Sequence, residues 1–312
     1  MPVKTTVIIP TYNRPRELAA CLRSLLAQQV KPDEIIVVDD GALSGFPLQR
    51  EAEALGIRCV YHRKQTPGLT ASRNAGVALA RGGIIFFLDD DVELLPDYLA
   101  EILRVFADYR GRDLGGVGGL IANPKPLTRA RRLRAFYDRL FLIAGSREGK
   151  ILPSGFCTDY GKTPFPLQGL TEVDFLAGGV SAYKREVFAE FAFSEAYRGY
   201  GLGEDKDFSC RVGRKYKLLV NPAARLYHYE SARMRYDMVE HGRQAVLSRY
   251  YFFKTYCRKG WWSWLFFAYA LVGYLLIRLL ITIVARDRRE LQRVRGMWGA
   301  VRDLVGGRVS GR

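Results

Sequence analysis

Ile84-Ile85-Phe86-Phe87-Leu88-Asp89-Asp90-Asp91 decides how this chain is read: five β-branched, aromatic or aliphatic residues run without a polar break into three consecutive carboxylates. A continuous apolar run of that length suits a strand buried on both faces, as in a parallel sheet covered by helices. Acids that begin where such a strand stops lie at its carboxyl end, the edge on which open α/β sheets bind ligands. Upstream, Ile35-Ile36-Val37-Val38 ends the same way, in Asp39-Asp40. Adjacent carboxylates repel one another, and such clusters are tolerated when a hard divalent cation or several donors neutralise them. An ordinary turn or helix cap is the competing reading of either group.

Outward from these two runs, strands are expected at 5–9, 34–38, 58–61, 84–88 and 115–120, alternating with helix-period segments in the manner of βαβ units. Leu18, Leu22, Leu25 and Leu26, and then Leu99, Ile102, Leu103 and Phe106, mark two one-sided apolar helix faces. Pro96 suits the first turn of the second helix, where its missing N–H is no loss. From 123 to 168 the periodicity fades into a proline-punctuated insertion. Within it Leu133, Phe136, Tyr137, Leu140 and Phe141 share a helix face flanked by Arg129, Arg131, Arg132, Arg134 and Arg139. That is the pattern of a membrane-surface helix, or of a core-facing helix with a solvated side. Order returns with strands at 173–177, 181–183 and 217–220 and a helix at 205–215. The expected division is a domain over 1–230, carrying the 123–168 insertion, and a basic, apolar helical region over 231–312.

That last region holds WWSWLFFAYALVGYLLIRLLITIVA at 261–285, broken only by Arg278. As a helix these residues cover about 37 Å, enough to cross a bilayer. Both flanks are basic, however: residues 225–259 carry eight Lys/Arg against three acids and residues 286–312 eight Arg against three acids. A single crossing leaves one positive flank on the wrong side, so a tilted interfacial helix or a helical hairpin near Gly273 competes with a span, as does a buried core or dimer helix. Membrane attachment with both ends cytoplasmic is the expectation. Trp261, Trp262 and Trp264 suit headgroup depth, and Arg278 could snorkel toward the interface.

Composition bounds the function. The chain has 312 residues, 48% hydrophobic and 26% charged, with 48 Lys/Arg against 32 Asp/Glu for a net charge of +16. This excludes a disordered tail and a polytopic membrane protein, and it points to a polyanionic partner: nucleic acid, an anionic membrane surface or a phosphate-bearing substrate. No aromatic residues interleave the charges as single-strand binders need, so no nucleic acid is expected. Five dispersed cysteines without CxxC spacing read as reduced thiols in the cytoplasm, and the first ten residues are too short for a signal-peptide core. There is no Walker loop, GxGxxG turn or nucleophile elbow.

Five strings, in order, carry a resemblance: Ile8-Ile9-Pro10-Thr11-Tyr12-Asn13-Arg14, Ile36-Val37-Val38-Asp39-Asp40-Gly41, Ser72-Arg73-Asn74-Ala75-Gly76, Phe87-Leu88-Asp89-Asp90-Asp91 and Gly203-Glu204-Asp205. Across about residues 4–230 the chain resembles the family 2 glycosyltransferases. The resemblance implies an α/β fold of GT-A (nucleotide-diphospho-sugar transferase) type, a Rossmann-like mixed sheet with flanking helices, followed here by the C-terminal membrane-associated helical segment. It also implies an inverting enzyme using Mg²⁺ or Mn²⁺ and a UDP-, GDP- or dTDP-linked sugar. The acceptor suggested by the basic body and apolar tail is a polyprenyl-linked saccharide or surface glycan at the cytoplasmic membrane face. A non-catalytic sugar-nucleotide or glycan-binding protein that kept the fold is the alternative.

The same resemblance assigns roles. Pro10, Thr11 and Tyr12 meet the nucleoside, Asp40 the nucleobase, and Arg73 the base and diphosphate. Asp89 and Asp90 face ribose and donor sugar, Asp91 holds the metal, and Asp205 is the catalytic base. His228 stands where relatives place a second metal or diphosphate ligand, or is a satisfied structural histidine. Gly178 and Gly179 let backbone approach the sugar on the acceptor side, with Glu204 beside them; a β-bulge is the other reading of the glycines. Glu204, Asp205 and Asp207 also suit the first turn of a helix, where acids meet the positive dipole end.

Overall fold

The computed structural model describes residues 3–111, 113–123, 128–161, 167–197, 201–229 and 237–308. Its elements are β1 (Thr5–Thr11), α1 (Pro15–Leu26), β2 (Glu34–Asp39), α2 (Gln49–Ala54), β3 (Arg58–Arg63), α3 (Leu69–Leu79), β4 (Ile84–Leu88), β5 (Val92–Leu94), α4 (Tyr98–Asp108), β6 (Leu114–Ile121), α5 (Arg129–Leu140), β7 (Thr171–Val173), β8 (Val180–Lys184), α6 (Glu204–Val212), β9 (Lys217–His228), α7 (Met238–Phe252), α8 (Ser263–Ala285) and α9 (Arg288–Val305). They fall into two units, Met1–Lys125 with Pro166–Ser231 and Pro126–Phe165 with Ala232–Arg312.

The first unit is a mixed sheet, in the order β3-β2-β1-β4-β8-β6-β9-β5, with β7 also on β9. β3, β2, β1 and β4 run parallel, β8 lies antiparallel between β4 and β6, and β6 runs parallel to β9. Every residue of β1, β2 and β4 is buried, which is why their sequences are apolar without alternation. α1 and α4 turn Leu18, Leu22 and Leu25 and Leu99, Ile102 and Phe106 into the core, each fully buried aliphatic or aromatic side chain contributing roughly 1.5–3 kcal/mol.

Four departures from the sequence expectation stand out. β5, absent from the expectation, has three residues and no readable period, yet its antiparallel pairing sets Val92 opposite His228. β9, expected to stop at 220, continues to His228 past register shifts in its pairing with β6. α3 shows no apolar stripe because its buried positions are Thr70, Ser72, Arg73 and Gly76; the inward face of this helix is polar for reasons that become clear at the site. The strand expected at 173–177 forms instead at Thr171–Val173.

In the second unit, residues 128–161 group with the C-terminal helices, whereas the sequence reading placed 123–168 inside the first domain as an insertion. Phe141 stacks on Tyr269 at 5.1 Å, and the Tyr137 hydroxyl donates to the Gly273 carbonyl at 2.8 Å. α7 and α9 cross at near backbone contact: a Cβ on Gly242 would lie 2.0 Å from the Arg293 carbonyl oxygen, and one on Gly296 1.8 Å from that of Val239. α8 runs unbroken through Gly273, so of the alternatives left open for this stretch the hairpin is not the one formed: the missing side chain makes room for the Phe141 ring rather than for a turn. α8 is two-sided. Phe267, Ala270, Leu271, Tyr274 and Leu275 are buried within the unit, while Leu265, Tyr269, Val272, Leu276, Leu280 and Ile283 form an exposed stripe on the other face. α5 buries none of its residues and exposes Leu133, Phe136 and Leu140.

At the end of β2 the acid pair divides its labour. Asp39 is fully buried and structural: its carboxylate accepts from the Gly41 and Leu43 amides at 2.7 and 3.0 Å and from the Tyr61 hydroxyl at 2.7 Å. It pins the loop after β2 and leaves Asp40 beside it at the edge. Replacement by Ala removes the acceptor of three hydrogen bonds, one of them from the buried Leu43 amide, so Asp39→Ala should lower unfolding stability by about 3 kcal/mol, read as a fall in the urea midpoint at unchanged slope.

Candidate functional site

The carboxyl ends of β1, β2 and β4 open on one edge of the sheet, and the pairing of β4 with β8 and of β5 with β9 brings distant sequence to it. Beyond the last β4–β8 pair, the Asp89 amide donates to the Gly179 carbonyl at 3.4 Å. Beyond the β5–β9 pair, the Tyr229 amide donates to the Asp91 carbonyl at 2.9 Å, which seats His228 beside Asp91. His228 Nε2 lies 3.0 Å from Asp91 Oδ1. One ligand atom from each of Asp89, Asp91 and His228 falls within 4.8 Å of the others. Two carboxylates and an imidazole so placed are a donor set suited to a divalent cation such as Mn²⁺ or Mg²⁺.

The middle acid behaves differently. Asp90, expected toward the donor, is turned inward and is 5% exposed. The hydroxyl of Thr11, expected against the nucleoside, donates to Asp90 Oδ2 at 2.7 Å and is itself buried. Arg14 Nη1 then bridges Asp90 Oδ1 and Asp91 Oδ2, each at 3.0 Å. Pro10, Thr11 and Asp90 thus build the floor of the edge, and Tyr12, 43% exposed, is the open side chain of that turn.

Arg73 is the most buried cation of this edge, at 2% exposed. Its Nη1 contacts Glu204 Oε1 and its Nη2 lies 3.5 Å from Asp89 Oδ1. Its guanidinium carbon sits 5.4 Å from the ring of Phe193, and Phe193 stacks on Phe208 of α6 at 4.1 Å. Burial works against the charge, yet Glu204 and Asp89 outweigh it and hold the guanidinium above its ordinary range. Burial also pushes the Glu204 carboxyl up, to about 8, against the pull of Arg73. With two carboxylates against it, Arg73 is the member of the pair whose charge is fixed.

Gly178 and Gly179 are required by these neighbours. A Cβ at 178 would lie 2.7 Å from both terminal nitrogens of Arg73, and one at 179 would lie 2.1 Å from Asp89 Oδ2. The Gly178 amide donates to Asp205 Oδ2 at 3.2 Å. Asp205, at the first turn of α6, is therefore joined through Gly178 and Arg73 to Asp89 and the three-residue cluster. Asp40 reaches the same network through α3: Oδ1 accepts from the Ser72 hydroxyl at 2.7 Å and lies 3.1 Å from Lys64 Nζ, while Oδ2 accepts from the Gly68 amide at 3.0 Å.

Two residues at this edge carried no assignment from sequence. Arg14 stands in a quoted string but was given no role, although three adjacent carboxylates call for a nearby cation. Lys64, one residue beyond β3, lies at the same carboxyl edge as Asp40, and that position was its signal.

This sheet, with acids at the carboxyl ends of its parallel strands and a histidine delivered by a late antiparallel pairing, is a GT-A type nucleotide-sugar transferase fold. The Glycosyl transferase family 2 model matches residues 6–191, and the chain belongs to that family. It is 32% identical over 108 residues to Glycosyltransferase GlyA of Streptococcus pneumoniae, covering 34% of this chain and 16% of that one. It is 25% identical over 191 residues to the Glucosyl-dolichyl phosphate glucuronosyltransferase of Haloferax volcanii, covering 60% of this chain and 55% of that one. The chain thus spans between about a sixth and about half the length of these relatives. Among solved structures, the mannosyltransferase PcManGT from Pyrobaculum calidifontis, in complex with GDP-Man and Mn²⁺, superposes with a TM-score of 0.58 at 17% identity, covering 97% of this chain and 88% of that one. GalNAc-T7 with UDP, GalNAc and Mn²⁺ gives 0.54 at 16% identity, covering 80% and 50%. At these identities the likeness is one of fold.

Asp90 gives a pH signature. Burial raises its carboxyl to about 6, opposed by Arg14 and the Thr11 hydroxyl and aided by Asp91. The folded value lies above the unfolded one, near 3.9, so the folded chain holds the proton more tightly. The stabilisation this confers is complete below about pH 4 and is lost as pH rises through about 6. In chelator-treated protein, stability relative to Asp90→Asn should fall by about 1–3 kcal/mol between these limits; paired urea titrations across that range measure it.

Proposed function

We propose that this chain is a metal-dependent, inverting glycosyltransferase that moves a sugar from a nucleoside-diphosphate donor, UDP-, GDP- or dTDP-linked, to a lipid-linked or surface-glycan acceptor at the cytoplasmic face of the membrane. The observation that carries this reading is the junction of the Asp89, Asp91 and His228 cluster with Arg73, Gly178 and Asp205 at one sheet edge.

Asp89, Asp91 and His228 would hold the cation, and their hard and borderline donors fit Mn²⁺ or Mg²⁺. When bound there, a divalent cation neutralises charge on the departing diphosphate. Arg73, anchored by Glu204 and desolvated on its aromatic platform, presents a fixed positive charge where the leaving oxygens gain negative charge. Its Nε and Glu204 Oε2 are buried without a hydrogen-bond partner among the described residues, polar capacity that a bound donor would complete. Asp40 and Tyr12 would face the nucleoside of the donor. Gly178 and Gly179, whose absent side chains leave room for Arg73 and Asp89, let the sugar rest close to backbone. Asp205 takes the proton from the acceptor hydroxyl as that oxygen attacks the anomeric carbon and the carbon–diphosphate bond breaks. One base and one displacement give inversion.

The membrane part of the reading rests on the second unit. α8 exposes an apolar stripe along one face only, and α5 exposes Leu133, Phe136 and Leu140 between arginines. An in-plane interfacial attachment buries both sets of side chains while leaving the basic flanks at the headgroups. Five cysteines without a disulfide suit the reducing cytoplasmic side.

With Mn²⁺ and a matching donor, Asp205→Asn should lower kcat by about 10²–10⁴-fold while donor binding persists, and Asp91→Ala should lose Mn²⁺ binding by calorimetry together with transfer. Full transfer by either variant would overturn the mechanism, and wild-type binding without turnover on any acceptor would favour the non-catalytic alternative. For attachment, Leu265→Gln, Val272→Gln and Leu276→Gln combined should move the protein from sedimenting with anionic vesicles to the supernatant; unchanged sedimentation would place the contact elsewhere.

A further inference from the structure

Inside the second unit, three guanidinium groups from three helices converge on one aromatic ring and one carboxylate. The guanidinium carbons of Arg249 (α7) and Arg278 (α8) lie 4.5 and 5.6 Å from the centroid of Tyr274. Arg278 and Arg293 (α9) share Glu290, with Arg278 Nη1 at 3.5 Å from Oε2 and Arg293 Nη1 at 3.1 Å from Oε1. Arg249 also covers Phe156 at 5.3 Å and donates to the Ala245 carbonyl at 2.5 Å, and it has no carboxylate within ion-pair distance among the described residues.

The charges do not balance. Of the other acids nearby, Asp138 is paired with Arg134 at 2.7 Å, and Asp303 with Arg243. His241 adds no charge near neutrality: burial, then Arg293, Arg278 and Arg249, lower it to about 4. Three positive charges therefore face one negative charge. Arg278 Nε and Arg293 Nε are moreover buried with no hydrogen-bond acceptor among the described residues. A buried donor left without an acceptor is a standing penalty, and planar guanidinium forks match the oxygens of phosphate. Arg278 and Arg293 keep 23% and 18% of their side-chain surface, so the cluster is accessible from outside.

We infer that Arg249, Arg278 and Arg293 form an anion-binding site for a phosphate or diphosphate group, built from none of the sheet-edge residues and independent of the glycosyl-transfer reading. A phosphate carried on a lipid headgroup and a free phosphate ion would use the same guanidinium donors.

The test uses the full chain in detergent, with inorganic pyrophosphate followed by calorimetry and thermal shift, and co-flotation with phosphatidylcholine vesicles with and without phosphatidic acid. Pyrophosphate binding marks a soluble phosphate as a competent source, and flotation that requires phosphatidic acid marks a lipid headgroup; either supports the site. Arg278→Gln and Arg293→Gln should each weaken binding at least about tenfold while leaving the anion-free melting temperature unchanged or higher, because like-charge repulsion is relieved. Glu290→Gln should tighten binding, and Arg104→Gln, at an exposed arginine of α4, should leave it unchanged. Absence of both kinds of binding, an equal loss in Arg104→Gln, weaker binding in Glu290→Gln, or arginine variants that melt lower yet bind as before would each overturn the proposal.

Discussion

The sheet-edge site depends on one buried cation. Arg73 is removed from water on an aromatic base of Phe193 and Phe208, and a charge so placed persists only when carboxylates surround it. Glu204 and Asp89 do so from opposite sides of the sequence. Because Arg73 belongs to α3, Glu204 to α6 and Asp89 to the end of β4, their mutual attraction fixes three elements at once. The glycines at 178 and 179 follow from the same requirement, since any side chain there would enter the volume of Arg73 or Asp89.

The parallel half of the sheet was legible because burial on both faces forces an unmistakable composition: the expected strands at 34–38 and 84–88 coincide with β2 and β4 to within a residue. The acids at their ends were legible as a class. What residue type alone does not encode is direction. Asp89, Asp90 and Asp91 are chemically identical, and which of them turns inward is settled by Thr11 and Arg14, contributed from residues almost eighty positions earlier. Asp39 and Asp40 divide in the same way, through Tyr61 on one side and Ser72 on the other. α3 escaped an apolar-periodicity reading because its buried face serves polar neighbours instead of the core, and β5 because three residues carry no period.

The helical unit teaches the complementary lesson. The residues of 261–285 are apolar all round, which left a span, a hairpin, a surface helix and a core helix open. Packing distinguishes the faces: small residues and rings meet neighbours on one side, while branched aliphatics remain bare on the other. Arg278, which in one dimension interrupts a hydrophobic run, in three dimensions joins Arg249 and Arg293 around Tyr274 and Glu290.

The pairing of Val92 with His228 also bears on how the protein comes into being. The imidazole that completes the group begun at Asp89 arrives from the far end of the sheet-bearing unit, through its final strand. A growing polypeptide that has released only its first two hundred residues from the ribosome already holds both carboxylates but lacks their nitrogen partner. Assembly of the triad is thereby coupled to closure of the last β-pairing, and a chain interrupted before that step would have most of its core in place yet an incomplete cluster.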